Sequence, residues 1–119
     1  MINVVIIDDE VEIASMIEKF LSKQSEYSVK TYNNPLTALS SISSDTDVVL
    51  LDIMMPQMNG LDVLVKLKEK YPNINVIMMT AYSTLDKVLD SHRQGAVHYP
   101  MKPFSSLSEI TDKIQEITS

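Results

Sequence analysis

Short apolar runs and stretches of helical periodicity alternate five times along the chain, the pattern of an α/β domain with a parallel sheet. The first predicted strand, Ile2–Ile7, is apolar except at Asn3, as expected when both faces are covered. Ile13, Met16, Ile17, Phe20 and Leu21 then fall on one helical face. A second strand is expected at Ser28–Tyr32, where alternation suggests less burial. Asn34-Pro35 supplies a cap and a first-turn proline for a second helix, whose inner face is Leu36, Leu39 and Ile42.

Ser40–Thr46 reads as a surface connection into a third strand, Asp47–Leu51, followed by an irregular loop from Asp52 to Gly60. The third helix carries Leu61, Leu64, Val65 and Leu67 and ends near Tyr71-Pro72-Asn73. A fourth strand is expected at Ile74–Met79. Ser83 or Thr84 would cap a fourth helix that buries Leu85, Val88 and Leu89 and stops at Gly95. Ala96–Tyr99 forms the fifth strand, and Pro100 behind it suits a sheet edge. Ser106 and Glu109 make a capping box for a fifth helix, with Leu107, Ile110, Ile114 and Ile117 facing the sheet.

The pattern predicts one domain over residues 1–119: a doubly wound, five-stranded parallel sheet with five helices. Right-handed crossovers leave few ways to wind it, and the order 2-1-3-4-5 puts strands 1 and 3 side by side at the switch point. The carboxyl ends of such strands line the ligand crevice. Four expected strand ends carry polar groups: Asp8-Asp9, Asp52, Thr80, and Lys102 a little beyond Tyr99.

Composition narrows the chemistry. At 119 residues, 45% hydrophobic and 22% charged, the chain is an ordinary globular domain. It has no cysteine, which leaves no disulfide scaffold or thiolate metal site. No apolar run is long enough for a bilayer and no basic-then-apolar leader precedes Ile2, so a cytoplasmic location without membrane contact is expected. A net charge of −6 without a basic stripe argues against direct nucleic-acid binding. Most of the eight methionines sit in or beside apolar segments, where they fill gaps in packing.

Each polar tip has an ordinary structural explanation. Asp9 could cap the first helix, with Glu12 completing a capping box. Asp52 could open an Asx turn, Thr80 suits a strand, and a single lysine is usually solvated. Together they fit a hard cation beside a phosphoryl group. Mg²⁺ takes about six oxygens at roughly 2.0–2.1 Å and keeps several waters. With cation and lysine present, Asp52 can stay ionised and act as a phosphoryl acceptor.

The stretches Ile6-Ile7-Asp8-Asp9-Glu10, Leu51-Asp52-Ile53-Met54-Met55-Pro56-Gln57-Met58-Asn59-Gly60, Met79-Thr80-Ala81 and Met101-Lys102-Pro103-Phe104 resemble a response-regulator receiver domain of two-component signalling. The resemblance implies a flavodoxin-like receiver fold and a phosphorelay role. Asp52 would accept phosphate from a sensor histidine kinase or histidine phosphotransfer protein. Asp9, Asp52 and the Met54 carbonyl would bind Mg²⁺, with Asp8 acting through water. Thr80, Ala81 and Lys102 would hold the phosphoryl oxygens, and Thr80 with Tyr99 would form the switch. Lys102-Pro103 would be a cis peptide. Output would run through the helix 4–strand 5–helix 5 face to an effector protein or a C-terminal output domain, with a homodimer through helices 4 and 5 as one form.

Three positions depart from commoner choices in that family. Met54 and Tyr82 are bulky where polar groups often orient water, which would lengthen the acyl-phosphate lifetime, and Pro100 would stiffen strand 5 next to Tyr99. Two rival classes fit the residues less well. A Mg²⁺-dependent phosphohydrolase needs a further acid or base to activate water, and Ile53–Asn59 offers no obvious one. A nucleotide-binding domain needs a glycine-rich turn, and the chain has two glycines in all. The residues do not decide between a stand-alone receiver and part of a longer regulator.

Overall fold

The computed structural model describes residues 1–52, 60–79 and 108–118. Four parallel strands, β1 (Ile2–Ile7), β2 (Tyr27–Tyr32), β3 (Val48–Asp52) and β4 (Asn75–Met79), lie in the order β2-β1-β3-β4. This reproduces the first four places of the expected winding. The expected fifth strand and fourth helix lie outside the described residues.

Helices cover both faces because successive strand residues point to opposite sides. Val5, Ile7, Val49, Leu51, Val76 and Met78 pack against α2 (Pro35–Ser41) and α3 (Gly60–Lys70). Val4, Ile6, Val48, Leu50 and Ile77 pack against α1 (Val11–Ser22) and the C-terminal helix (Ser108–Thr118). Continuous apolar runs in β1 and β3 therefore record two cores rather than one. β2 is the outer strand on one side, only partly buried beyond Tyr27, with Lys30 exposed.

Local chemistry sets the helix ends. Asn34 caps α2, accepting a 2.9 Å hydrogen bond from the Leu36 amide, and Pro35 occupies the first turn. Ile110 and Ile114 are buried and seat the C-terminal helix, while Gln115 donates to the Tyr27 hydroxyl at 2.8 Å and to Glu26 at 3.0 Å. The expected cap pair Ser106 and Glu109 lies outside the residues whose side chains are described. Burial pulls Lys68 below the ordinary lysine range, although its ammonium still donates to the Ile74 carbonyl.

The lone polar residue of β1 has a structural use. The Asn3 amide donates to the Asp47 carboxylate at 2.7 Å, Asp47 returns its own amide to the Asn3 carbonyl at 2.9 Å, and the Asn3 side chain reaches the Asp45 carbonyl at 2.9 Å. The amino ends of β1 and β3 are thereby held together.

Two helical faces differ from expectation. The buried stripe of α1 is Ala14, Ile17 and Leu21, with Ile13 and Phe20 packed beside it, and Met16 is 44% exposed. In α2 the buried positions are Pro35 and Ala38, one turn apart, and Leu36 at 58% exposure is rotated off that line. Small residues fill the closest approach to the sheet, leaving the larger neighbours outside.

Ile114 is fully buried where the C-terminal helix meets β1, β3 and β4 residues. Ile114→Ala is expected to cost about 2–5 kcal/mol, the range for truncating a buried branched side chain. Urea unfolding should register it as a lower midpoint with an unchanged denaturant slope.

Candidate functional site

The site grows out of the strand register. Ile7 pairs with Leu51 in the parallel β1–β3 ladder, so the next residues, Asp8 and Asp52, stand level at adjacent strand ends. β1 has β2 on one side and β3 on the other, and the winding reverses between them, so this pair sits at the switch point, where an open sheet forms its crevice. Asp52 is the last residue of β3, not the first of a loop, and pairs with Met79 of β4.

Both carboxylates are buried: Asp8 is 0% and Asp52 2% exposed. One carboxylate oxygen each from Asp8, Glu10 and Asp52 lie within 4.8 Å of one another. Such an all-oxygen, all-anionic set suits a hard divalent cation and would be self-repelling without a counter-charge. Asp9 contributes no atom to that trio, but its Oδ1 is buried and has no hydrogen-bond partner among the described residues.

The backbone around the acids is tightly tied. Asp8 Oδ1 accepts from the Glu10 amide at 2.9 Å, closing an Asx turn. The Asp8 amide donates to the Tyr32 carbonyl at 3.1 Å, and the Asp8 carbonyl accepts from the Asn33 side-chain amide at 2.9 Å. Helix α1 begins directly behind this turn, with Glu10 as its N-cap residue and no side-chain capping bond. The expected Asp9–Glu12 capping box is therefore not formed. The Asp8 carboxylate turns back onto the Glu10 amide instead, and the acids remain turned to the crevice.

Of the predicted site residues, Asp8, Asp9 and Asp52 are described, and the structure brings Asp8 and Asp52 together. Met54, Thr80, Ala81, Tyr99, Lys102 and Pro103 lie outside the described residues, as do Tyr82 and Pro100. Glu10 was not singled out by sequence reasoning as a member of the acid cluster. Its signal was the unbroken run Asp8-Asp9-Glu10 after a buried strand.

The profile described as "Response regulator receiver domain" matches residues 4–115. The chain belongs to the response regulator receiver family. This receiver is 34% identical over 115 residues to sporulation initiation phosphotransferase F of Bacillus subtilis, spanning 96% of this chain and 91% of that protein. It is 39% identical over 104 residues, 86% of this chain, to the DNA-binding transcriptional regulator NtrC of Proteus hauseri, of which the match spans only 22%. Among solved structures it resembles a CheY-like receiver domain protein from Methanospirillum hungatei JF-1, with 27% identity, a TM-score of 0.88, and coverage of 98% of this chain and 92% of that one. The architecture is the flavodoxin-like receiver fold.

Receiver domains bind Mg²⁺ at an acidic pocket, and the Asp8–Glu10–Asp52 oxygens of this chain fit that requirement. Tenfold excess of a ligand over its dissociation constant stabilises a fold by about 1.4 kcal/mol. Mg²⁺ at such an excess should therefore raise the thermal midpoint of the receiver over that in EDTA. The rise should vanish in Asp8→Asn; an equal rise in the variant would place the cation elsewhere.

Proposed function

We propose that this receiver takes a phosphoryl group from a phosphohistidine onto the carboxylate of Asp52. The observation that carries the reading is a buried aspartate at a strand end, with two further carboxylate oxygens within 4.8 Å. An Asp52 oxygen attacks phosphorus, the phosphorus–nitrogen bond breaks, and the imidazole leaves and takes up a proton. The product is an acyl phosphate on Asp52.

Asp52, Asp9 and the Met54 carbonyl are the proposed direct holders of Mg²⁺, with Asp8 acting through water. Glu10 adds negative charge on the same side of the site. The cation would supply charge neutralisation while two anions approach. The Asx turn of Asp8 keeps that carboxylate aimed and limits its motion. Burial of Asp52 by the flanking strands limits competing water at the acceptor oxygen. Thr80, Ala81 and Lys102 are the proposed partners of the phosphoryl oxygens.

The phosphoryl group would then bias a two-state equilibrium read on the helix 4–strand 5–helix 5 face, with Thr80 and Tyr99 as the switch. The donor is a sensor histidine kinase or histidine phosphotransfer protein in the cytoplasm. The receiver of an effector-bearing regulator and a phosphorelay intermediate share this first step. Similarity to NtrC over 22% of its length and to phosphotransferase F over 91% supports either setting.

Asp52→Asn is expected to abolish transfer of ³²P from a phosphorylated histidine kinase domain in Mg²⁺. Stable, Mg²⁺-dependent labelling of that variant would reject Asp52 as the acceptor. Lys102→Ala should keep the fold, read by circular dichroism, and lose the phosphorylation-induced change. Met54→Asn with Tyr82→Glu should shorten the acyl-phosphate lifetime in a ³²P decay assay; an unchanged rate would show that neither bulky side chain slows hydrolysis.

A further inference from the structure

The acid cluster is steadied by a residue from outside β1, α1 and β3. The side chain of Asn33, in the connection between β2 and α2, donates its amide hydrogen to the Asp8 carbonyl at 2.9 Å. That carbonyl belongs to the peptide linking Asp8 to Asp9. On one side of it the Asp8 amide is fixed to the Tyr32 carbonyl, and on the other the Glu10 amide is fixed to Asp8 Oδ1. β2 itself ends at Tyr32, so its ladder no longer extends to the Asp8 carbonyl and a side chain supplies the donor. The bond is thus one of those that fix the Asp8–Asp9 peptide, whose orientation sets where the Asp9 carboxylate starts.

The neighbouring asparagine does something separate. Asn34 spends its side-chain oxygen on the Leu36 amide and so holds α2. Two adjacent residues of one type thus serve two different elements, one a helix and the other the pocket.

We propose that Asn33 is a positioning residue for the cation-binding acids, acting through the Asp8 carbonyl to preset the pocket before Mg²⁺ arrives. This rests on the functional reading above, since it assumes that the acids take up Mg²⁺. Groups that orient metal ligands from behind typically change metal affinity by about 10–100-fold when removed. Asn33 is exposed, so water replaces part of its bond, and the effect expected here is roughly fivefold, below that range.

The test titrates MgCl₂ into the full chain and follows the amide resonances of Asp9 and Glu10, with thermal unfolding in EDTA measured in parallel. Asn33→Leu, similar in size but without a donor, should weaken Mg²⁺ binding about fivefold while leaving the EDTA midpoint within a few degrees of wild type. Asn34→Ala should do the reverse, lowering the midpoint through the lost cap while keeping wild-type Mg²⁺ affinity. Wild-type affinity in Asn33→Leu would overturn the proposal, and so would an equal loss of affinity in Asn34→Ala. Failure of the wild-type protein to bind Mg²⁺ would strike instead at the functional reading beneath it.

Discussion

The structure turns on the parallel pairing of β1 with β3. Ile7 opposite Leu51 leaves no freedom in where Asp8 and Asp52 emerge, because a slip of one residue would reverse which face every side chain meets. Two separate cores enforce that register, since each apolar residue of either strand is claimed by one helical layer or the other. At the amino ends the mutual Asn3–Asp47 bonds secure it again. The cost of crowding carboxylates at the other rim is thus carried by the sheet, whose apolar burial exceeds anything the pocket contributes. Chemistry that would strain a loop is tolerable on the end of a strand.

That base is also asymmetric. Asp8, at the end of β1, is tied to neighbouring groups through its amide, its carbonyl and one carboxylate oxygen, and that part of the anionic site is held in place. The C-terminal helix is similarly fixed, by Ile110 and Ile114 below and by Gln115 against Tyr27 and Glu26. A signal that leaves this pocket has little room to travel through β1 or β3, which are paired on both sides and covered on both faces.

Much of this was legible before any coordinates. Apolar strands followed at once by acids are informative jointly, because each acid alone could be a cap or a turn but acids at neighbouring strand ends meet in one crevice. Asn34-Pro35 was equally plain, as cap and first-turn proline act within one helical turn and need no tertiary context. Met16 and Leu36 were misread because periodicity marks apolar candidates but not the side of the stripe that lies nearest the sheet; Ala14 and Ala38 take those places by being small. The Asp9–Glu12 box was a sound local pattern that lost to a competing local bond, from the Glu10 amide to Asp8. Glu10 and Asn33 could not be placed by spacing alone. One depends on how a turn folds back, and the other reaches across from the connection between β2 and α2. Thr80 and Lys102, expected from the strand-end pattern, and Tyr99, implied by the resemblance, lie outside the described residues.

The outer strand β2 has a consequence for how copies of the molecule behave at high concentration. It pairs with β1 along its length, and its other side ends this part of the sheet. An exposed lysine in the middle of such a strand, here Lys30, penalises the approach of a like-charged twin in the same alignment. Sheet growth from molecule to molecule is discouraged at this border, which helps keep a crowded solution of the protein free of ribbon-like aggregates.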